Sequence, residues 1–334
     1  MTGEGDLRPP EVHQKGIILK KKGIIISIIA MLGAFTSLGY PFFKLLVDGK
    51  RGYKSGGRKW ISLKHPKINH PRNGYEQKYE DGKAWCMSQT MEDRYLTSRD
   101  GLRLHAYYLR CSNAKRIVLL SHGYRGSGFG DFANTAKFLH ENGCDLLFVD
   151  QRCCGKSEGK YITFGAKEQW DILDWTMMLD AEDTGDLPIY LYGESMGAAA
   201  ILMASGHGLP GRVKGLICDC GFSSMKQQLR DIAKEWFRLH YVELFLVRID
   251  LFCRFLAHFK MSDADTADAL SVNKVPVLFF HGSHDTFVNP QNSVRNHARC
   301  RAPKELVIIE GARHLCSAYA DEELYRKKLL EFFS

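Results

Sequence analysis

The chain has 334 residues, 45% of them hydrophobic, and a formal net charge of +8. That length and composition allow one large domain or two ordinary ones and exclude a mainly disordered chain. The charge is not spread evenly: residues 1–75 carry 14 Lys and Arg against 4 Asp and Glu, which leaves 76–334 at −2, so no nucleic-acid partner is expected for the larger part.

In chain order, a basic tail at 1–22 ends in Lys20, Lys21 and Lys22, directly before an uncharged run at 23–43, GIIISIIAMLGAFTSLGYPFF. As a helix at 1.5 Å per residue the run spans about 31 Å, the thickness of a bilayer's hydrocarbon core. It predicts a single N-terminal transmembrane helix in contact with membrane lipid. No A-x-A-like site follows it, which argues for a retained anchor over a cleaved signal. Five positive residues precede the run (Arg8, Lys15, Lys20, Lys21, Lys22) and six follow closely (Lys44, Lys50, Arg51, Lys54, Arg58, Lys59), so charge asymmetry does not orient it. Residues 44–90, rich in Lys, Gly and His, read as a basic linker.

The globular part is expected at 91–334. Asp100-Gly101, between strand-like stretches at 93–97 and 102–110, signals a hairpin turn. Apolar strand-like runs then recur at 116–120, 144–149, 189–192, 213–217, 277–280 and 306–309. Helix-like stretches lie between most of them, at 131–142, 166–180, 195–204, 289–300 and 321–333. Runs without polar alternation indicate strands covered on both faces, hence an α/β, doubly wound, mostly parallel sheet. In such sheets chemistry gathers beyond the carboxyl ends of the strands.

Two stretches match G-x-S-x-G: GKSEG at 155–159 and GESMG at 193–197. A nucleophile elbow needs a strand directly before the first glycine and a helix directly after the second. Ser195 has both, since Ile189 to Tyr192 precede it and Ala198 to Ala204 follow. Ser157 has neither. A serine hydroxyl needs a base, which a carboxylate orients. In this architecture the order is Ser, acid, His. His297 falls inside a helical stretch, whereas His314 follows the run at 306–309, which makes His314 the base. Asp285, in the turn-rich loop after 277–280, and Asp219, at the end of 213–217, could each supply the carboxylate; the loop address favours Asp285. An oxyanion needs two backbone N–H donors. Met196, just after the serine, supplies one, and Tyr124, after His122-Gly123, the other.

The ten cysteines include an adjacent pair, Cys153-Cys154, and Cys144 and Cys218 in apolar runs, so no disulfide framework is indicated. Cys218 and Cys220 have no second Cys/His pair at metal-binding spacing, and packing is expected of them.

The motifs SHGYRGSG, DQRCCGKSEG, GESMG, VLFFHGSHDTFV and GARH, in that order, resemble the α/β-hydrolases, in particular the membrane-anchored bacterial group related to serine aminopeptidase-like and cinnamoyl-esterase-like hydrolases. The resemblance covers about 91–334. It implies Ser195 as nucleophile, Asp285 as acid, His314 as base, and Tyr124 with Met196 as the oxyanion hole. The pair at 153–154 departs from the Arg-Gly turn commoner in the family, and no HGGG stretch is present.

An insertion at 222–272 supplies Leu229, Ile232, Ala233, Trp236 and Phe237 at helical spacing, with Tyr241, Phe245, Phe252, Phe255 and Phe259 beyond them. It reads either as a cap lining an acyl or aryl pocket or as a helical pair with its own core. The expectation is a serine hydrolase that cleaves carboxylic esters through an acyl-enzyme, without metal or organic cofactor. Peptidase or thioesterase activity, or a non-catalytic binding role, are the alternatives.

Overall fold

The structure is a computed structural model and describes residues 39–49, 74–182, 186–236, 238 and 240–334. Its centre is a sheet of eight strands: β1 (Glu92–Thr97), β2 (Arg103–Leu109), β3 (Arg116–Ser121), β4 (Cys144–Asp150), β5 (Ile189–Glu194), β6 (Val213–Asp219), β7 (Val277–Gly282) and β8 (Lys304–Ile309). Their spatial order is β1-β2-β4-β3-β5-β6-β7-β8. β2 runs antiparallel to both neighbours and the other pairs are parallel. The two antiparallel strands form the predicted hairpin, whose turn uses Gly101 at φ 84, a conformation that side chains resist.

The strand sequences explain their positions. Every residue of β4, β5 and β7 is buried, as expected for strands covered on both faces. The edge strands β1 (EDRYLT) and β8 (KELVII) mix exposed and covered residues. In β3, Ile117 and Leu119 point into one core layer with Trp175 and Ile201. Val118 and Leu120 point into the opposite layer with Phe132, Leu139 and Tyr325. Each fully buried side chain of this size contributes roughly 1.5–3 kcal/mol.

The expected helices are present with adjusted bounds. The stretch at 131–142 is two short helices, Gly128–Asp131 and Ala136–Glu141, the first capped by the Ser127 hydroxyl accepting from the Gly130 N–H. The others are Glu168–Ala181, Met196–Ala204, Gln291–Arg299 and Glu322–Phe333. The insertion forms Met225–Glu235, Val242–Leu256 and Ala267–Val272. Within the stretch read as linker, Glu76–Ser88 is a helix. Only Tyr79 and Cys86 of it are buried, so its sequence carries no apolar stripe to announce it.

Among the described residues no helix is long and apolar enough to cross a membrane. Residues 1–38, hence most of the predicted anchor, lie outside the described residues. The end of that anchor needs correction. Tyr40–Leu46 is a helix with Pro41 in its first turn. Phe43 is fully buried, with ring centroids 5.6 Å from Tyr161 and 5.9 Å from Phe252 of the cap. A residue packed there does not face lipid.

Candidate active site

Ser195 sits between the end of β5 and the first residue of helix Met196–Ala204, at φ 54 and ψ −115. This is a strained conformation for a residue with a side chain. The crowding around it explains the glycines. A Cβ at Gly193 would lie 2.5 Å from the Ala198 nitrogen, and one at Gly197 would lie 1.9 Å from the Ser121 carbonyl oxygen. The Ser195 N–H donates to the Asp219 carbonyl at 2.8 Å, which ties the bend to the end of β6. All nine residues of the following helix are buried, and its run of small residues from Gly197 to Ala200 permits close packing on every side.

The imidazole comes from the loop after β8. His314 Nε2 lies 3.1 Å from Ser195 Oγ, and Nδ1 lies 2.6 Å from Asp285 Oδ2. The arrangement fits a serine hydroxyl donating to Nε2 and Nδ1–H donating to the carboxylate. Gly311 (φ 70) and Leu315 (φ 58) bracket the histidine with left-handed backbone that turns the ring inward. The Asp285 carboxylate is held on its other side by the N–H groups of Phe287 (2.8 Å) and Val288 (2.9 Å), both donating to Oδ1.

A second histidine, His281 at the end of β7, faces the same carboxylate, with Nε2 3.3 Å from Asp285 Oδ2. Its Nε2–H also reaches the Val288 carbonyl at 2.9 Å, and Nδ1 meets the Ser293 hydroxyl at 2.6 Å. Burial works to raise the pKa of Asp285, but the charges and hydrogen bonds of His314 and His281 outweigh it and hold the carboxyl well below its usual range. Burial likewise works against protonation of His281, and its hydrogen bond and charge pairing with Asp285 prevail, leaving its pKa raised. Sequence reasoning did not single out His281, because a histidine inside a strand carries no signal until the carboxylate it meets is known.

The alternative acid, Asp219, has different partners. Its two oxygens accept from the hydroxyls of Ser317 (2.9 Å) and Tyr325 (3.0 Å), and its pKa is raised, chiefly by burial. It braces the elbow from behind. Cys220 is a buried thiol beside Asp285 and His314, with the three potential metal-ligand atoms within 4.8 Å of one another. The histidine and carboxylate are already hydrogen-bonded to each other, and burial keeps the thiol's pKa well above normal. Cys218 packs instead in the sheet's other layer.

Ser157, in the second box, has a structural environment. Its hydroxyl donates to the Asp150 carbonyl at 2.6 Å and accepts from the His105 N–H at 2.8 Å. The His105 ring spans two carboxylates, Asp150 and Asp93, each at 2.7 Å. Both ring nitrogens are occupied, and the box fastens a loop. His297 lies in Gln291–Arg299 with its ring 6.0 Å from Phe279.

The loop after β3 passes over Ser195, and a Cβ at Gly123 would lie 3.2 Å from the serine Cβ. His122 and Gly123 are held from within the domain. The Gly123 N–H donates to Asp131 at 2.8 Å, and the Gln151 N–H donates to His122 Nε2 at 3.2 Å. Tyr124 comes next, its ring stacked on Phe164 at 5.2 Å. Met196 begins the elbow helix, whose first N–H groups have no intrahelical acceptor.

Most of the insertion's buried apolar residues share one cluster with Met196 and Val288, so the insertion packs directly onto the elbow, while Leu270 joins the layer of Trp175. Leu229, Ala233 and Phe259 are buried, and Phe245 and Phe252 pack at the cluster's margin. Tyr241 and Phe255 point outward at 86% and 74% exposure and contribute no lining. Phe237 lies outside the described residues. Phe287, 4.9 Å from the His314 ring and 5.5 Å from Trp236, joins the cap to the imidazole.

Residues 112–249 match the family model of serine aminopeptidase S33. The chain is 25% identical over 240 residues to the uncharacterized protein YqkD of Bacillus subtilis, a match covering 71% of this chain and 77% of the relative. Among solved structures it resembles the Pyrococcus furiosus esterase Pf2001, with TM-score 0.60 and 20% identity over 75% of this chain and 92% of that one. It also resembles Est1E of Butyrivibrio proteoclasticus with ferulic acid bound, with TM-score 0.54 and 21% identity over 72% and 99% of the two chains. The fold is that of the α/β-hydrolases.

Proposed function

We propose that the protein is a serine hydrolase that cleaves carboxylic esters through an acyl-enzyme. The observation that carries this reading is the continuous hydrogen-bonded series from Ser195 Oγ through His314 to Asp285. In the first half-reaction, Ser195 Oγ attacks the ester carbonyl carbon as His314 Nε2 takes its proton. The carbonyl oxygen becomes an oxyanion facing the N–H groups of Tyr124 and Met196. The ester C–O bond then breaks, and the imidazolium returns its proton to the departing alkoxide. In the second half-reaction water attacks the acyl-enzyme with the same imidazole as base, which releases the acid and restores Ser195. Asp285 stays ionised throughout, consistent with its lowered pKa, and stabilises the imidazolium.

The test is labelling of the purified full chain with a fluorophosphonate, with Ser195→Ala beside it. The wild type is expected to take up one label, at Ser195, and to hydrolyse short-chain nitrophenyl esters, while the variant does neither. Label at Ser157, or none, sinks the mechanism. Matched thioesters and amino-acid amides, run on the same preparation, separate esterase from thioesterase or peptidase. Membrane attachment through the 23–38 run rests on composition and belongs to the same proposal. It predicts that the full chain stays in the membrane pellet after alkaline carbonate extraction.

A further inference from the structure

The loop proposed to supply an oxyanion donor is fastened on one side from within the domain and on the other from the N-terminal segment. The inner side is the pair of contacts at His122 and Gly123 described above. The outer side is a set of three hydrogen bonds to main-chain carbonyls of residues 45–48. The Tyr124 hydroxyl donates to the Leu46 carbonyl at 2.7 Å, and the Arg125 guanidinium donates to the carbonyls of Leu45 and Asp48, both at 2.9 Å. These carbonyls lie at and just beyond the C-terminal end of helix Tyr40–Leu46, where carbonyl groups lack intrahelical donors and seek outside partners. Arg125 itself sits at φ 53, so the bend directly after Tyr124 is one that needs support from its surroundings.

The segment offering the carbonyls is firmly seated. Phe43 and Val47 are fully buried in the cap cluster. The Ile162 N–H donates to the Val47 carbonyl at 2.8 Å, and the Gly49 N–H donates to the Lys160 carbonyl at 2.9 Å. The geometry points to residues 40–49 as a positioning clamp: the carbonyls of Leu45, Leu46 and Asp48 hold Tyr124 and Arg125 so that the Tyr124 N–H faces the developing oxyanion. The inference rests on the ester-hydrolase reading above and adds to it that the N-terminal segment controls turnover.

Tyr124→Phe keeps the backbone N–H and the ring on Phe164 and removes only the hydroxyl. Arg125→Met removes the guanidinium, and Arg125→Lys restores a cationic donor. In the full chain, Tyr124→Phe and Arg125→Met are each expected to lower kcat about tenfold, a fraction of the loss on removing an oxyanion donor outright, with KM within about twofold. Affinity for an alkyl boronic acid, which places an oxygen in the oxyanion position, should fall by the same factor as kcat. Arg125→Lys should recover part of both, and thermal midpoints should stay near that of the wild type. Unchanged kcat and boronate affinity in both variants overturns the clamp while wild-type labelling at Ser195 keeps the hydrolase reading. A loss that tracks a lowered thermal midpoint and raised KM assigns these residues to folding alone and also overturns it. A wild type that neither labels nor turns over removes the hydrolase reading and the clamp with it.

Discussion

Ser195 carries a conflict between conformation and chemistry that can be measured. Glycine at φ 54 avoids the Cβ strain that serine bears. Ser195→Gly is therefore expected to abolish turnover and raise stability by about 1 kcal/mol, an increase of roughly 1–2 °C in thermal midpoint for a chain of this length. A variant less stable than the wild type removes the strain argument. Asp285→Asn is expected to lower kcat about 10⁴-fold with little change in KM, because an amide can hold His314 in the wrong tautomer. The same carboxylate contributes to stability with a defined sign. Its folded pKa lies below the ~3.9 of an unfolded aspartate, so between those values the unfolded chain binds more protons and stability rises with pH. The contribution is complete above about pH 5 and is lost as pH falls through the folded value. In urea unfolding, the wild type should lose more stability than Asp285→Asn between about pH 6 and pH 3. Parallel losses would contradict the hydrogen-bonded carboxylate described here.

At the level of elements, the strand-to-helix bend was legible because its requirements are local: an apolar run, two glycines and small helix formers, all within 189–204. The glycines should prove unequal. Gly197→Ala places a methyl 1.9 Å from a main-chain oxygen and is expected to cost more than about 3 kcal/mol or to yield insoluble protein. Gly211→Ala meets nothing within 4 Å and should fall within about 0.5 kcal/mol of the wild type; soluble yield and urea midpoints distinguish them. The helix Glu76–Ser88 shows the opposite case. It is polar through most of its length and read as linker, yet Gly82 lies so close to Ala133 that a Cβ would stand 1.9 Å from its carbonyl oxygen. A helix that docks by one close backbone approach and two buried side chains leaves no periodic pattern in the sequence.

For the molecule as a whole, the N-terminal segment and the cap are one packed unit over the elbow. Phe43→Ala should cost about 3–4 kcal/mol, with faster amide exchange in Met225–Glu235 and Val242–Leu256. Unchanged exchange there would detach the segment from the cap. The apolar residues of the insertion divide between burial and solvent, as Phe259 and Phe255 show, and composition does not tell the two apart.

The sequence alone determined the doubly wound sheet, the choice of Ser195 over Ser157 as the elbow serine and the address of His314, because each depends on residues close together in the chain. Tertiary structure decided which carboxylate meets the imidazole. Asp219 ends β6 and Asp285 lies in the loop after β7, and the approach of Ser317 and Tyr325 to one and of His314 to the other separates them. It decided also that Phe43, the last residue of an apolar run suited to lipid, is buried in protein. An apolar side chain gains by leaving water wherever it goes, and its destination is set by partners more than a hundred residues away.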